Sequence, residues 1–370
     1  MISERHAYIA LNMMEGIGPV KVRALIDTLG SVEAIFEAAD ADLLQADGIG
    51  PALVKKIRGQ VSTLDPAAEE HSAHRLGADL ITQVDAAYPE MLKKIHDPPL
   101  VLYVLGDLAP RDKHAIAVIG SRRVSHYGMQ VADRLSFQMA KMGYTIASGL
   151  ARGIDTTAHT GALKAKGRTV AVLGSALDCL YPTENAQLAE EIADTGAVIS
   201  EFPLGTQPGR TTFPMRNRIV SGLSLGVLVV ETALGSGALI TVDEANAQGR
   251  LVFAVPGRID APGFSGCHHL IKNGAKLVED VDDITQEFEY LIPPNPEGRE
   301  DPEFTKPAVA MNVDEDKIVA ALQHEGSLGV DALIRDSGIA SGKVNALLIG
   351  LEMKRVVKMR PGRVVELVKQ

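Results

Sequence analysis

The stretch that decides the fold reads Ala115-Ile-Ala-Val-Ile-Gly-Ser-Arg-Arg123 and continues, after a polar turn and an amphipathic segment, as Tyr144-Thr-Ile-Ala-Ser-Gly149. Its two apolar runs, 115–119 and 144–147, lie one helix length apart, which is typical of buried parallel strands joined by a crossover helix. The same alternation of strand and helix patterns continues downstream. Apolar runs lie at 169–173, 197–200, 227–230 and 251–255, and segments with helical spacing lie at 155–165, 185–193, 215–223 and 239–248. This alternation predicts an α/β fold whose core is a Rossmann-like, doubly wound and mostly parallel sheet of six strands.

Polar residues follow the predicted strands where each of them ends. Ser121, Arg122 and Arg123 follow the first strand, and Gly149 and Arg152 follow the second. In open α/β sheets, ligands bind beyond the carboxyl ends of the strands, where helix N-termini and backbone N–H groups attract anions. Because arginine matches phosphate oxygens with two parallel hydrogen bonds, the sequence predicts a phosphate-binding edge.

The usual fingerprints of nucleotide cofactors are missing from the sequence. The turn at 120–128 lacks the second glycine of G-x-G-x-x-G, and no segment reads G-x-x-x-x-G-K-[ST], so we expect no nucleotide cofactor. Cys267-His268-His269 is a tempting metal pattern. Adjacent residues point in different directions, however, so we expect no metal site there.

Composition is that of a multi-domain intracellular protein. The 370 residues carry a formal net charge of −10 and two cysteines, too few for a disulfide framework. The first residues do not resemble a signal peptide, and no apolar run approaches the length of a membrane helix, so we expect a soluble, cytoplasmic protein that does not bind a membrane. The negative charge argues against a protein that coats nucleic acid with its whole surface but allows a local basic groove.

An internal repeat fills the first 65 residues. Glu15-Gly-Ile-Gly-Pro-Val-Lys21 recurs as Asp47-Gly-Ile-Gly-Pro-Ala-Leu-Val-Lys55, each copy between helical patterns. This pattern is typical of a helix-hairpin-helix, in which exposed backbone N–H groups bind a DNA phosphate. A helical bundle with tight glycine turns explains the pattern equally well, and both interpretations stay open.

The remaining segments complete a four-part organisation. Residues 97–106 predict one strand that we add to the central sheet as an edge element, because prolines stand at its start. Five prolines among charged residues predict an extended linker after the sheet. We expect an N-terminal all-α domain at 1–65, the Rossmann-like domain at 66–290, the linker at 291–310 and a winged helix at 311–370.

The winged helix is predicted from three helical patterns and a hairpin. Its third helix carries Lys343, Asn345, Lys354 and Arg355, and Arg360 and Arg363 lie at the tip of the wing. Side chains of these types at these positions favour binding of duplex DNA, with the third helix in the major groove. Residues 314–370 hold nine basic and eight acidic side chains, which is weak for a duplex binder, so we favour a protein-interaction module.

The motifs, taken in order, resemble those of the DNA processing protein DprA family, also called Smf. They are Gly120-Ser121-Arg122 with Ser125 and Tyr127-Gly128, the run 148–155 with Ala158-His159, Ala171-Val-Leu-Gly174, Tyr181-Pro182 with Asn185, Ser200-Glu201, Phe213-Pro214 with Arg216-Asn217-Arg218, and the run 236–241. The resemblance implies a cytoplasmic bacterial protein that binds single-stranded DNA without sequence preference, forms a homodimer through its Rossmann-like domain and loads RecA during natural transformation and recombination. Members often carry a Lys directly after the Tyr-Pro, where this chain has Thr183, so another residue supplies that charge or the pocket is less basic.

We expect the DNA site at the strand-end edge. Arginines there would hold phosphates, and Tyr127, Tyr181 and Phe213 are candidates for stacking on bases. The full predicted DNA-binding set is Ser121, Arg122, Arg123, Tyr127, Ser148, Gly149, Arg152, Gly174, Tyr181, Asn185, Phe213, Arg216 and Arg218.

The alternative is a nucleotide-binding or nucleoside-monophosphate-cleaving enzyme. Asp155 and His159 lie four residues apart on a predicted helix near Ser148, which allows an acid/base pair beside a nucleophile. Related α/β enzymes carry a Pro-Gly-Gly-x-Gly-Thr-x-x-Glu signature, whereas this chain reads Glu231-Thr-Ala-Leu-Gly-Ser-Gly-Ala238 at that loop. We therefore expect no catalytic residues, and we expect Asp155 to cap or orient its helix.

Overall fold

The structure is a computed structural model that describes residues 2–288, 314, 317–319, 321–322, 327–353, 357–360 and 364–367. The chain divides into two compact units, Met1–Pro294 and Asn295–Gln370. The strands among the described residues are β1 Ala78–Thr82, β2 Val101–Gly106, β3 Ala115–Ile119, β4 Thr145–Ser148, β5 Thr169–Val172, β6 Ala197–Ser200, β7 Ser224–Val229, β8 Leu251–Ala254, β9 Lys276–Leu277, β10 Ser327–Gly329, β11 Val357–Arg360 and β12 Val364–Leu367.

Helices connect most of these strands. They are α1 Glu4–Met13, α2 Pro19–Leu29, α3 Ala34–Glu37, α4 Asp40–Leu43, α5 Pro51–Val61, α6 Pro66–Arg75, α7 Glu90–Lys93, α8 His126–Lys141, α9 Ile154–Lys164, α10 Ala186–Thr195, α11 Thr212–Gly222, α12 Ala238–Ala247, α13 Ser265–Lys272, α14 Asp282–Thr285, α15 Val330–Ser337 and α16 Ser341–Met353. No helix in the described part of the chain is long and apolar enough to span a membrane.

The first unit is built on one nine-stranded sheet with the order β1-β2-β6-β5-β4-β3-β7-β8-β9. Every neighbouring pair from β6 to β9 is parallel, and β2 runs antiparallel to both β1 and β6. From β3 the chain winds outward to β4, β5 and β6, then returns across the sheet to β7 and winds the other way. This is the doubly wound arrangement predicted from the sequence. It creates a crevice at the carboxyl ends of the neighbouring strands β3 and β7, where the two halves of the sheet meet.

Helices cover both faces of the sheet because the buried strands are apolar on both sides. On one face, Ile116, Val118 and Ile146 pack against apolar residues of α8 and α9. On the other face, Ala117 and Ile119 pack in one cluster with residues of α11 and α12. The sheet is therefore a rigid platform with its helix N-termini at the carboxyl edge.

The strand at 101–106 corrects one prediction. We expected it at the edge of the sheet, but β2 is paired on both sides, with β1 outside it. Pro98 and Pro99 precede the strand, so they remove no hydrogen bond from its ladder. We predicted no strand at Ala78–Thr82, where β1 shows alternating burial, and none at Lys276–Leu277, where β9 is too short for a sequence pattern. The sheet therefore has nine strands instead of six plus one.

The N-terminal repeat forms two matching hairpins. Gly16 and Gly48 adopt φ values of 83° and 70°, which favour glycine, and Pro19 and Pro51 begin α2 and α5. Apolar residues of these helices share one buried cluster with β2, β5 and β6 of the sheet. The hairpins are thus packed onto the central sheet as part of one hydrophobic core.

The second unit contains the predicted elements of a winged helix. Residues 314, 317–319 and 321–322 are helical, α15 and α16 follow, and β10, β12 and β11 form a three-stranded antiparallel sheet in that order. Lys343 at the start of α16 pairs with Asp314 at 2.6 Å. The predicted linker at 291–310 and the predicted DNA contacts Lys354, Arg355 and Arg363 lie outside the described residues, as do the side chains of Asn345 and Arg360.

Candidate nucleic-acid interface

A cleft of about 460 Å³ opens at the carboxyl edge of the sheet, beyond the ends of β3 and β7, where the chain turns in opposite directions after the two strands. It is formed by the turns after β3 and β4 and by the first turns of α11 and α12. Its lining residues are Ile119, Gly120, Ser121, Arg122, Arg123, Gly149, Ala151, Asp155, Phe213, Pro214, Arg216, Asn217, Val220, Ser236, Gly237, Ala238, Ile240 and Thr241. The strand-end edge is therefore a concave surface, and phosphate binding there stays a prediction.

The turn after β3 is held in shape by Ser121. Its hydroxyl donates to the Arg123 carbonyl at 2.9 Å and accepts from the Arg123 N–H at 3.0 Å. Its backbone N–H donates to the Glu231 carbonyl at 2.7 Å, which ties this turn to the end of β7. Ser121 thus shapes the loop that carries the exposed side chains of Arg122 and Arg123.

The turn after β4 is more strained. Leu150 has a φ of 54°, which few non-glycine residues adopt. Asn185, at the start of α10, donates to the Leu150 carbonyl at 2.8 Å and to the Thr156 hydroxyl at 2.9 Å. Asn185 is buried, so it acts by fixing this turn.

Arg216 forms the floor of the cleft. Its side chain is buried, and its Nη1 donates to the Gly149 carbonyl at 2.5 Å and to the Val172 carbonyl. Burial lowers the pKa of Arg216 to about 10, and nearby Asp155 opposes this shift. The guanidinium therefore stays charged at neutral pH and supplies a fixed positive charge beneath the cleft.

Asp155 and His159 lie on one face of α9, as the spacing predicts, but both are buried. Asp155 accepts from the N–H groups of Gly149 at 3.2 Å and Ala151 at 3.4 Å, so it orients the turn before its helix. Burial raises the pKa of Asp155 to about 6, against the opposing effect of Arg216. Burial, aided by Arg216, lowers the pKa of His159 to about 3.

Four side chains form an array beside the cleft, in which two adjacent aromatic rings lie between two guanidinium groups. The guanidinium of Arg122 lies 5.1 Å from the Phe213 ring centre, and that of Arg152 lies 5.6 Å from the Tyr181 ring centre. The two rings lie 5.9 Å apart at an angle of 47°. We call Arg122, Phe213, Tyr181 and Arg152 the array; it brings together predicted residues from three loops and from the first turn of α11.

Gly174 makes room for the array. A Cβ at this position would lie 2.5 Å from Cδ1 of Phe213. The Gly174 carbonyl also accepts from the Thr212 hydroxyl at 2.5 Å, at the start of α11. Gly174 therefore gives the Phe213 ring its space and offers no side chain of its own.

Three predicted residues lie elsewhere. Ser148 is buried and donates to the Val118 carbonyl at 2.6 Å. Arg218 is buried beneath α11, where it pairs with Glu201 at 2.5 Å and Asp97 at 2.8 Å. Tyr127 is exposed but packs on Phe264, with ring centres 5.7 Å apart, beyond the end of β8.

Glu231 is a structural residue of the site that the sequence did not single out. This buried carboxylate accepts from the Ser125 hydroxyl at 2.6 Å and from the Ser125 N–H at 3.1 Å, at the N-terminus of α8. A Cβ on Gly128 would collide with it. Ser125 and Gly128 were noted as motif residues, but their common partner lies 106 residues from Ser125 and was not visible in the pattern.

Comparison with known proteins agrees with the fold and the motifs. The family profile described as "DNA recombination-mediator protein A" matches residues 79–289, "SAM-like Helix-hairpin-helix tandem" matches 8–60, and "DprA winged helix domain" matches 302–363. A protein named Smf from Synechocystis sp. is 35% identical and is aligned over 97% of this chain and 98% of its own length.

Two solved structures extend the comparison. The crystal structure of DNA processing protein A from Streptococcus pneumoniae has a TM-score of 0.68 at 35% identity and covers 77% of this chain and 98% of its own. DNA processing protein A from Helicobacter pylori, described for its single-stranded DNA binding mode, has a TM-score of 0.52 at 29% identity and covers 57% and 96%. The resemblance seen in the motifs is confirmed: the chain belongs to the DNA recombination-mediator protein A family, which includes the DprA and Smf proteins.

Proposed function

We propose that this chain binds single-stranded DNA without sequence preference, with the strand following the cleft and the array. The observation that carries the proposal is the array at one edge of the sheet, in which the adjacent rings of Phe213 and Tyr181 lie between the guanidinium groups of Arg122 and Arg152. Aromatic rings stack on any base, and the guanidinium groups on either side of the rings can bind the phosphates that link the bases. A duplex offers no unstacked bases to such an array.

The cleft adds phosphate-binding capacity. Arg122 and Arg123 are exposed on its rim, and Arg216 lies beneath it. The N-termini of α9 and α12 open on the cleft, where Asp155 of α9 and Ala238 of α12 line it. Such helix ends favour anions.

We further propose that the site is not catalytic. His159 is buried and remains neutral, and its Nδ1 is engaged with the Thr169 hydroxyl at 2.7 Å. Because Thr169 donates its own proton to the Ile146 carbonyl at 2.6 Å, His159 acts as the donor to Thr169. A histidine held in this way cannot exchange protons with a substrate. Incubation with nucleoside monophosphates tests this proposal, since release of free base would establish the enzyme instead.

In the cell, we propose that the chain works as a cytoplasmic homodimer that loads RecA onto single-stranded DNA in recombination and natural transformation. Membership of a recombination-mediator family supports this role. Added to single-stranded DNA that is already coated by single-strand-binding protein, the chain should shorten the lag of RecA filament formation. An unchanged lag with the cognate RecA would leave a DNA binder with another purpose.

The DNA site is tested by Arg122→Ala. For single strands, each phosphate contact contributes about 0.7 to the slope of log affinity against log salt. The slope of the variant should therefore be smaller by roughly this amount for oligothymidine, oligocytidine and oligoadenosine alike. Fluorescence anisotropy at four salt concentrations measures the slopes. Arg75→Ala removes an exposed arginine at the end of α6 and is the matched control. If Arg122→Ala and Arg122→Glu bind like wild type while folded, the DNA site lies elsewhere, with the N-terminal hairpins as the next candidate.

A further inference from the structure

One cation of the array is already paired with a carboxylate. Glu184 lies in the short turn before α10, and its Oε2 accepts from Arg152 Nη2 at 2.9 Å while its Oε1 accepts from Arg152 Nε. Arg152 Nη1 donates to the Tyr181 hydroxyl at 3.3 Å. The guanidinium is therefore held over the Tyr181 ring by a two-pronged ion pair.

The exposed arginines that line the cleft differ from Arg152 in their charge partners. Within the described part of the chain, Arg122 and Arg123 form no ion pair, whereas both side chains of the Arg152–Glu184 pair are about half exposed, at 50% and 49%. Thr183, which precedes Glu184, is neutral and does not offset its charge. One end of the array is thus electrically neutral, and the other end is positive.

We propose that Glu184 competes with a DNA phosphate for Arg152 and so sets the affinity of this end of the strand-binding site. The inference rests on the proposed function. A carboxylate and a phosphate both bind two parallel N–H donors of a guanidinium. Glu184 already holds the Nε and Nη2 donors of Arg152, and the Tyr181 hydroxyl accepts from Nη1. A phosphate that binds Arg152 through Nε and Nη2 displaces Glu184, and the ion pair returns when the strand leaves.

Exchange at this position is possible because the pair is exposed. Exposed ion pairs are weak and screened by salt, so a phosphate can replace the carboxylate at modest cost. Glu184 meanwhile keeps the guanidinium over Tyr181 when no DNA is bound. The pKa of Glu184 is lowered by its hydrogen bond from Arg152, which is consistent with a carboxylate that stays charged at neutral pH.

Replacement of Glu184 tests the competition. Glu184→Gln removes the charge with little change of shape, and it should raise affinity for oligothymidine at low salt by about two- to five-fold, the range set by the strength of an exposed ion pair. It should also steepen the salt slope by up to about 0.7, since Arg152 becomes free to contact a phosphate in full. Glu190 on α10 is an exposed carboxylate with no hydrogen-bonded partner among the residues that the structure describes. Glu190→Gln gives the same change in net charge and should alter neither quantity beyond a small uniform effect.

The double variant identifies the competing group. In an Arg152→Ala background, Glu184→Gln should have no more effect than Glu190→Gln. Weaker binding by Glu184→Gln, or an unchanged salt slope, would overturn the proposal and make Glu184 a residue that positions Arg152. If Arg122→Ala and Arg152→Ala also bind like wild type, the proposed DNA site itself fails, which is a different result from failure of Glu184→Gln alone.

Discussion

A Cβ atom on Gly149 would lie 2.5 Å from the Cζ of Arg216, so the guanidinium occupies the space that any other residue at position 149 would need. Gly149→Ala should therefore push the Arg216 side chain away from the Gly149 and Val172 carbonyls. Overpacking of this kind costs about 1 to 3 kcal/mol of unfolding free energy. We also expect weaker DNA binding, because the floor of the cleft loses its fixed cation. Urea unfolding followed by circular dichroism, with anisotropy on oligothymidine, measures both effects.

Gly237→Ala is the matched control for stability. Gly237 lines the same cleft, but a Cβ there meets no atom within 4 Å, and its φ of −61° is ordinary for alanine. Its unfolding free energy should stay within about 0.5 kcal/mol of wild type. An equal loss in both variants would mean that the contact with Arg216 is not the cause.

Phe213 should be the main stacking residue. Its ring lies between the Arg122 guanidinium and the Tyr181 ring. Phe213→Ala should weaken binding by about 1 to 3 kcal/mol, the usual cost of losing one stacked base, with a salt slope close to wild type. Tyr127→Ala removes an exposed aromatic outside the cleft and should cost less. A larger loss for Tyr127→Ala would extend the DNA path past β8.

The succession of strands and helices along the chain was predictable because it depends on local patterns. The run 115–119 coincides with β3 and the run 197–200 with β6, since buried parallel strands are continuously apolar and end at Gly, Ser or charged residues. The array was predictable in part for the same reason. Residues that directly follow parallel strands meet at one edge whatever the rest of the chain does.

The direction of individual side chains was not predictable. Arg216 and Arg218 are two residues apart on α11 and look alike in the sequence, yet one lines the cleft and the other is buried with Glu201. Two positions on a helix are about 200° apart, so both cannot face the same cleft. Ser148 likewise ends a strand but points into the sheet. Which residue faces the site depends on partners that are distant in the sequence.

Replacing Arg218 should therefore lower the free energy of unfolding and leave the salt dependence of DNA binding unchanged. Arg218→Ala leaves the buried Glu201 without its cation and should cost about 3 to 5 kcal/mol of unfolding free energy. The loss should shrink at acid pH, because burial raises the pKa of Glu201 and the variant can protonate it. Arg218→Met combined with Glu201→Gln should recover much of the stability. A DNA salt slope lowered to the same degree as in Arg122→Ala would place Arg218 in contact with phosphate after all.

The pH dependence of stability should contain two opposing contributions from α9. The pKa of His159 falls from 6.5 to about 3 on burial, so its contribution is fully present above pH 6.5 and is lost as the pH falls toward 3. The pKa of Asp155 rises from 3.8 to about 6, so its contribution is fully present below pH 3.8 and is lost as the pH rises through 6. Between these limits the two changes largely offset each other in the native chain.

His159→Gln separates the two contributions because it removes the histidine and keeps a polar side chain that can donate to Thr169. The variant should lose stability relative to wild type by an amount that grows as the pH rises from about 3 to 6.5 and then stays constant. Asp155→Asn should give the opposite trend, with its stability relative to wild type improving as the pH rises from 3.8 to about 6, because the buried charge no longer forms. Urea unfolding at half-unit steps of pH, followed by circular dichroism because the chain has no Trp, measures both differences. A difference for His159→Gln that is the same at every pH would show that this histidine is not held neutral by burial.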